Sequence, residues 1–279
     1  MYSLLLVSSP GARDGPPTSC GLMIMPLRHA TGIVIQSLDY GESDRIVTFF
    51  TLELGKMKGI AKGARRSRRR FSNCLDLFCH VRIHFFEKED RSLARVEQCD
   101  VVEFFPGLGE DILRMSYGSY WVELVDALMG EREANRGVFE LLRLFLSRLN
   151  EEEPREEMLR IFEIRLLSLL GYRPNLLSCI RCRRPFDRLE RVYFLPAGGG
   201  ICCERCCGTN DSFFALTAGT VRLLEKSIET DLTKIRRLRF SPRSLMESRE
   251  ILPRFVQHHL TRELKSLRML ESLKPGVSP

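Results

Sequence analysis

Long apolar runs are missing from this 279-residue sequence. A helix that crosses a membrane needs about 20 consecutive apolar residues, and the longest apolar run near the N-terminus is Leu4–Val7. That run is also too short for the core of a signal peptide, and no basic residue precedes it. The sequence therefore predicts a cytoplasmic protein without membrane contact.

Catalytic signatures are scarce as well. The chain has five histidines, and none of them is placed like a member of a catalytic pair. His80 and His84 fall on a predicted strand, whereas His258 and His259 are adjacent and would point apart on a helix. Neither a Gly-x-x-x-x-Gly-Lys-Ser/Thr phosphate loop nor a Gly-x-Ser-x-Gly turn occurs. We expect no catalytic residues and a protein that is not an enzyme.

The composition is that of a globular chain, with 44% hydrophobic and 28% charged residues, which excludes collagen-like and wholly disordered proteins. The net charge of +7 is unevenly distributed. Residues 107–170 carry 13 acidic and 8 basic side chains, residues 171–279 carry 11 acidic and 20 basic ones, and residues 55–72 carry 8 basic ones and no acidic one. This segregation indicates separate tasks for separate surfaces.

Hydrophobic patterning predicts an α+β chain with two domains and an extension. Five strand patterns precede residue 105, which is typical of a small barrel: Thr31–Ser37, Arg45–Leu52, Lys56–Gly63, His80–Phe86 and Leu93–Phe104. Helical periodicity follows, at Leu113–Met129, Val138–Leu149, Met158–Leu170, Leu216–Glu229 and Leu245–Leu267. We predict a disordered extension or mis-assigned start at 1–24, a barrel domain at 25–105, and a helical domain at 106–279 with a cysteine-rich insert at 178–208.

The insert contains two Cys-x-x-Cys pairs, Cys179/Cys182 and Cys203/Cys206. Each such turn points two thiolates at one place, and two turns complete a tetrahedron around zinc. We predict one structural Zn²⁺ on these four residues; the alternative is a set of reduced structural thiols. Cys202 and Cys207 flank the second pair and blur its register. The isolated residues Cys20, Cys74, Cys79 and Cys99 are expected to be small apolar side chains.

A basic loop separates the third and fourth predicted strands and holds six cations within residues 62–70. Such a run is often only solvated surface, but inter-strand loops of five-stranded barrels bind oligonucleotides. Phe71 would either stack on a base or enter the core. The predicted DNA-binding set is Lys56, Lys58, Lys62, Arg65, Arg66, Arg68, Arg69 and Arg70. A weaker candidate for the same role is Lys234, Arg236, Arg237, Arg239 and Arg243.

Several of these stretches resemble the RecO family of bacterial recombination mediators. The most distinctive are the turn Gly41–Asp44, the segment Ala61–Arg65 and the helix end Leu169–Pro174, together with the two Cys-x-x-Cys pairs. The similarity covers residues 25 to about 208 well and the C-terminal third loosely. The sequence departs from the family pattern in its 24-residue extension and in the doubled cysteines at 202–203 and 206–207.

The resemblance implies an N-terminal OB-fold, a helical C-terminal domain and, in many members, a four-cysteine zinc motif. It also implies binding of single- and double-stranded DNA, annealing of complementary strands and cooperation with RecR. Contact with the acidic C-terminal tail of single-strand-binding protein would help RecA to load, so RecA is an indirect partner. Lys62 and Arg65 match the family's loop motif.

Two other functions are compatible with the residues alone. One is a zinc-containing adaptor whose helical domain binds a protein and whose basic loop is incidental. The other is a zinc-dependent enzyme acting on nucleic acid, which four thiolates disfavour because a catalytic zinc needs an open coordination position.

Overall fold

The computed structural model describes residues 26–67, 69–87, 93–208 and 212–272. The predicted extension at 1–24, together with Cys20, lies outside the described residues, and so does Arg68 of the basic loop.

The first five strands form a closed barrel in the order β1-β2-β3-β5-β4, with β4 paired to β1. Strands β3 and β5 run parallel and the other neighbours antiparallel. All five predicted strands are present, which confirms the barrel: β1 (Arg28–Tyr40), β2 (Asp44–Thr51), β3 (Gly55–Ala61), β4 (His80–Phe86) and β5 (Leu93–Glu103).

Every second residue along each strand faces inward, and these residues fill the barrel interior. On β4 these are Val81, Ile83 and Phe85, each fully buried, as the period of two requires. Phe71 is buried in the same core, so it enters the protein rather than remaining available for a base. The core also takes in three thiols, which confirms their prediction as small apolar side chains: Cys74, Cys79 and Cys99.

Helices follow the barrel and enclose a second, larger core. Its centre is aromatic: the Trp121 ring stacks on Phe162 at 5.2 Å and meets the edge of Phe145 at 5.3 Å. The seven α-helices of the described residues are α1 (Gly107–Glu110), α2 (Ile112–Leu128), α3 (Arg136–Glu151), α4 (Glu156–Leu169), α5 (Ala218–Glu229), α6 (Pro242–Gln257) and α7 (Lys265–Ser272).

The prediction of one continuous helix over 245–267 is wrong. Helix α6 ends at Gln257 and α7 begins at Lys265. The new start is held by Glu123 of α2, whose carboxylate accepts hydrogen bonds from the backbone amides of Lys265 and Ser266 at 3.0 and 2.8 Å. A side chain from a distant helix thus caps α7, and no local sequence pattern predicts such a cap.

The barrel is packed firmly on the helices. Its outward-facing Phe50 lies in the helical core, with its ring 6.4 Å from that of Phe139. Gly55, at the start of β3, has a φ of +68°, and an added Cβ there would lie 2.1 Å from the carbonyl oxygen of Glu133. This contact requires glycine, and it fixes the barrel, and with it the basic loop, against the helical region.

A three-stranded antiparallel sheet occupies the cysteine-rich segment, in the order β7-β6-β8. Its strands are β6 (Val192–Leu195), β7 (Gly200–Cys203) and β8 (Phe214–Leu216). The sequence patterns did not indicate this sheet. The α+β class, with a barrel followed by helices and a four-cysteine cluster, is confirmed. Among the described residues, no helix has the length and apolar character needed to cross a membrane.

Candidate metal centre and nucleic-acid interface

The four predicted ligands converge. The sulfur atoms of Cys179, Cys182, Cys203 and Cys206, called the thiol cluster below, all lie within 4.8 Å of one another. The Sγ atoms of Cys182 and Cys203 are 3.7 Å apart. A regular tetrahedron with Zn–S bonds of about 2.3 Å has edges of about 3.8 Å, so the Cys182–Cys203 spacing matches one edge of a four-coordinate site, and the group as a whole could hold a metal ion.

Backbone turns hold the two halves of the thiol cluster. In the first half, the amide of Arg183 donates to the carbonyl of Cys179 at 2.9 Å, and Arg183 has a φ of +62°. In the second half, the amide of Cys206 donates to the carbonyl of Cys203 at 2.9 Å. The tight turn at Gly199, with a φ of +64°, reverses the chain so that β7 brings Cys203 back to the first half.

The environment of Cys179 favours its thiolate. Burial opposes ionisation of this sulfur, but the backbone amides of Cys182, Cys203 and Arg181 donate to it, and the pKa of Cys179 falls to about 6. Its neighbour behaves in the opposite way, because a hydrogen bond with Cys203 raises the pKa of Cys206 to about 12. Crowded thiols cannot all ionise unless a cation compensates their charge, and a metal ion held by the four sulfurs would supply that charge.

The doubled cysteines separate on β7. Cys202 and Cys203 are consecutive residues of a strand, so their side chains leave opposite faces. Cys203 joins the thiol cluster, whereas the thiol of Cys202 is 3.9 Å from the Cys179 sulfur and 3.6 Å from the Cys203 carbonyl oxygen. Burial raises the pKa of Cys202 well above its ordinary value. Strand alternation therefore directs Cys203, and not Cys202, into the group of four sulfurs.

The basic loop is anchored to the turn between β1 and β2. Asp44 accepts a hydrogen bond from the amide of Gly63 at 2.8 Å, and the carbonyl of Ser43 accepts one from the amide of Arg65 at 3.0 Å. Gly63 has a φ of +67°, which suits glycine. The hydrogen bond from Gly63 lowers the pKa of Asp44. Sequence reasoning missed Asp44 as an anchor, although the turn Gly41–Asp44 stood out in the family resemblance.

The cations of the loop do not all face solvent. Lys62, Arg65, Arg66 and Arg69 are exposed. Arg65 and Arg66 each form a long ion pair with an exposed acidic residue, Asp39 at 3.7 Å and Glu42 at 3.8 Å. Arg70 turns back instead, donating to the Lys62 carbonyl at 2.9 Å and lying over the Phe71 ring at 5.0 Å. Arg70 therefore closes the loop while the other four present their charges outward.

Two predicted DNA-binding lysines lie elsewhere. Lys56 is 8% exposed, and its ammonium donates to the carbonyl of Asp126 at 2.7 Å. Lys58 is half exposed and pairs with Glu131 at 3.1 Å. Both belong to the contact between barrel and helices, so the prediction that Lys56 contacts DNA does not fit its burial. The alternation of polar and apolar residues along β3 does not predict this burial, because the segment that covers the start of β3 is formed by residues 131–133.

The architecture defines the class: a closed OB-type barrel joined to a helical region that carries four convergent thiols. The family model described as Recombination protein O N terminal matches residues 25–105, and the one described as Recombination protein O C terminal matches residues 109–268. The chain belongs to the RecO family.

Curated relatives align with this chain along nearly their whole length. The DNA repair protein RecO of Syntrophus aciditrophicus is 39% identical over 245 residues, which cover 87% of this chain and 95% of the relative. The DNA repair protein RecO of Symbiobacterium thermophilum is 35% identical over 252 residues, covering 90% and 99%. A third, from Syntrophotalea carbinolica, is 33% identical over 244 residues. These relatives are named as DNA repair proteins and not as enzymes.

Proposed function

We propose that this protein is a recombination mediator that binds DNA phosphates through the basic loop and anneals complementary strands. The single observation that carries the proposal is the anchored loop, on which Lys62, Arg65, Arg66 and Arg69 are exposed above a closed barrel. A loop held by Asp44 and Arg70 loses little conformational freedom on binding. Arginine also suits phosphate because it can donate two parallel hydrogen bonds.

Annealing follows from the same charge. Two DNA strands repel each other through their phosphates, and a cationic surface that binds both lowers this repulsion while bases find their partners. Single-stranded and double-stranded DNA both expose phosphates, so the loop is expected to bind either form. The division into a DNA-binding unit at 25–105 and a helical unit at 106–279 with its insert at 178–208 belongs to this proposal.

The thiol cluster is proposed to hold one structural Zn²⁺. Cys179, Cys182, Cys203 and Cys206 would form its complete tetrahedral shell, and an ion so enclosed contributes stability rather than an open coordination position. We therefore propose a protein without catalytic activity. The cation ties the two halves of the cluster together and so stabilises the three-stranded sheet on the helical core.

The proposed partners rest on the family resemblance. They are RecR, the acidic C-terminal tail of single-strand-binding protein, and RecA, which is helped indirectly to load on coated DNA. A cytoplasmic location in association with the nucleoid fits these partners.

The test is the salt dependence of oligonucleotide binding by the variant Arg65→Ala/Arg66→Ala/Arg69→Ala. Each phosphate contact on single-stranded DNA contributes about 0.7 to the slope of log K against log salt. Losing three contacts therefore lowers the slope by about 2 and weakens binding at low salt. Fluorescence anisotropy with an oligo-dT probe at several salt concentrations measures both quantities.

A charge-matched control removes three exposed arginines from outside the barrel, Arg188, Arg191 and Arg222. This variant changes the net charge equally but should keep a slope close to that of the unmodified protein. If the two variants lose slope equally, binding follows net charge and the basic loop is not the interface. If neither loses slope, DNA binds at another surface.

A further inference from the structure

One strongly charged segment has no role in the function proposed so far. It lies between α5 and α6, where the sequence holds five cations within residues 234–243. Four of them, called the turn patch below, are all exposed: Lys234, Arg236, Arg237 and Arg239. The fifth, Arg243, is occupied by Glu247 at 2.6 Å and is not included.

The turn patch is held rigidly. Residues Ile235–Arg237 form a 3-10 turn, and the apolar side chains on either side of Arg236 and Arg237, Ile235 and Leu238, are buried in the helical core. Arg239 donates to the carbonyl oxygens of Arg236 and Leu238 at 2.5 and 3.0 Å and so braces the turn. Cations on a turn that is already ordered need little further ordering by a ligand, which lowers the entropic cost of binding.

The acidic groups near the turn patch make their short contacts with other residues. Asp231, which interacts electrostatically with Lys234, accepts hydrogen bonds from the amide and hydroxyl of Thr233 at 2.8 and 2.5 Å. Glu152, which interacts electrostatically with Arg236, pairs with Arg148 at 3.0 Å and with Arg155 at 3.5 Å. Among the residues that the structure describes, the four side chains of the turn patch have no ion pair within 4 Å.

The contrast with the basic loop is informative. There, Arg65 and Arg66 each form an ion pair within 4 Å. The turn patch is coupled to its acidic neighbours only through longer-range electrostatics, Arg236 to Glu152 and Lys234 to Asp231. Cations on a fixed turn are complementary to the phosphates of a polyanion.

We propose that the turn patch is a second phosphate-binding surface, which holds the backbone of a second DNA strand while the basic loop holds the first. This inference rests on the proposed function and deepens it, because it assigns each strand of an annealing pair to its own surface. Recognition through phosphates alone makes the second surface indifferent to base sequence.

The test counts oligonucleotides per chain by native mass spectrometry, with a 12-residue oligo-dT as probe. The unmodified protein should bind two probes at saturation. The variant Lys234→Ala/Arg236→Ala/Arg237→Ala/Arg239→Ala should bind one, and the salt slope of its overall DNA binding, measured by fluorescence anisotropy, should be lower by up to about 3. Arg236→Lys/Arg237→Lys/Arg239→Lys keeps the charge and should still bind two, which separates lost charge from lost folding.

The failure of this inference differs from that of the proposed function. If the turn-patch alanine variant binds as many probes as the unmodified protein with the same salt slope, the second surface is refuted while loop binding stands. If the alanine variant of Arg65, Arg66 and Arg69 binds normally, the proposed function fails. A lysine variant that keeps its unfolding temperature but loses the second probe also refutes the inference, because the inference rests on charge.

Discussion

The thiol cluster and the basic loop are both made by short sequence motifs, yet they are built in opposite ways. In the thiol cluster, four side chains converge until their sulfurs lie within 4.8 Å of one another. In the basic loop the side chains diverge, and among its described cations Arg70 turns back to the backbone of the loop. The thiol cluster is enclosed by its own turns, whereas the basic loop is an open surface whose function depends on a bound partner.

A site whose side chains converge is therefore specified by the spacing of its residues in the sequence. A site whose side chains diverge is not. A Cys-x-x-Cys turn has one useful geometry, so Cys179 and Cys182 define half of the thiol cluster from sequence alone. A run of arginines has many geometries, and the sequence does not distinguish exposed Arg69 from Arg70, which closes the loop. This difference predicts that single substitutions disable the thiol cluster, whereas the loop loses function in steps.

The largest expected effect comes from Cys203→Ser compared with Cys202→Ser. The first removes one corner of the tetrahedron, so bound zinc should fall from about one ion per chain to almost none, with a lower unfolding temperature. The second changes a thiol on the other face of β7 and should retain the metal. Metal analysis by mass spectrometry with thermal unfolding measures both; zinc retained by the Cys203 variant contradicts the ligand set.

A smaller but still severe effect is expected from Gly200→Ala. An added Cβ would lie 2.7 Å from the carbonyl oxygen of Asn175 and 2.6 Å from the Cγ2 atom of Ile180. Since backbone must move to relieve the first contact, unfolding free energy should fall by about 1–3 kcal/mol. The matched control is Gly198→Ala, where the near atom is the mobile Cδ1 of Ile180. Denaturant unfolding compares them; equal losses contradict this explanation.

How much the sequence predicts follows from the range of the interactions involved. Alternation in β4, helical periodicity in α2 to α4 and the spacing within each Cys-x-x-Cys pair are local patterns, and they predict the barrel strands, the helices and the thiol cluster respectively. The burial of Lys56 depends on a segment 70 residues away in sequence, and the start of α7 depends on Glu123. The three-stranded sheet escaped prediction because its strands have only three or four residues.

The backbone of the loop should respond more weakly than the thiol cluster. Gly63 has a φ of +67°, and an added Cβ would meet only the end of the Arg70 side chain at 3.5 Å. Gly63→Ala therefore costs the left-handed strain alone, about 1 kcal/mol, and should weaken DNA binding less than removing three arginines. Gly109→Ala, which meets no neighbour within 4 Å and has no such φ, is the control. A larger loss than in Gly200→Ala contradicts the comparison.

The smallest effect concerns pH. The amide of Gly63 donates to Asp44 and lowers the pKa of that carboxyl. A carboxyl with a lowered pKa in the folded state stabilises the fold above its unfolded pKa, and this contribution is lost as pH falls through the lowered value. The amide shift of Gly63, followed by NMR in acid, should therefore titrate below the ordinary pKa of aspartate, about 3.9. Asp44→Asn keeps an acceptor oxygen but does not ionise, so its Gly63 amide should not titrate in this pH range. A midpoint at or above the ordinary pKa of aspartate in the unmodified protein would mean that Asp44 does not anchor the loop.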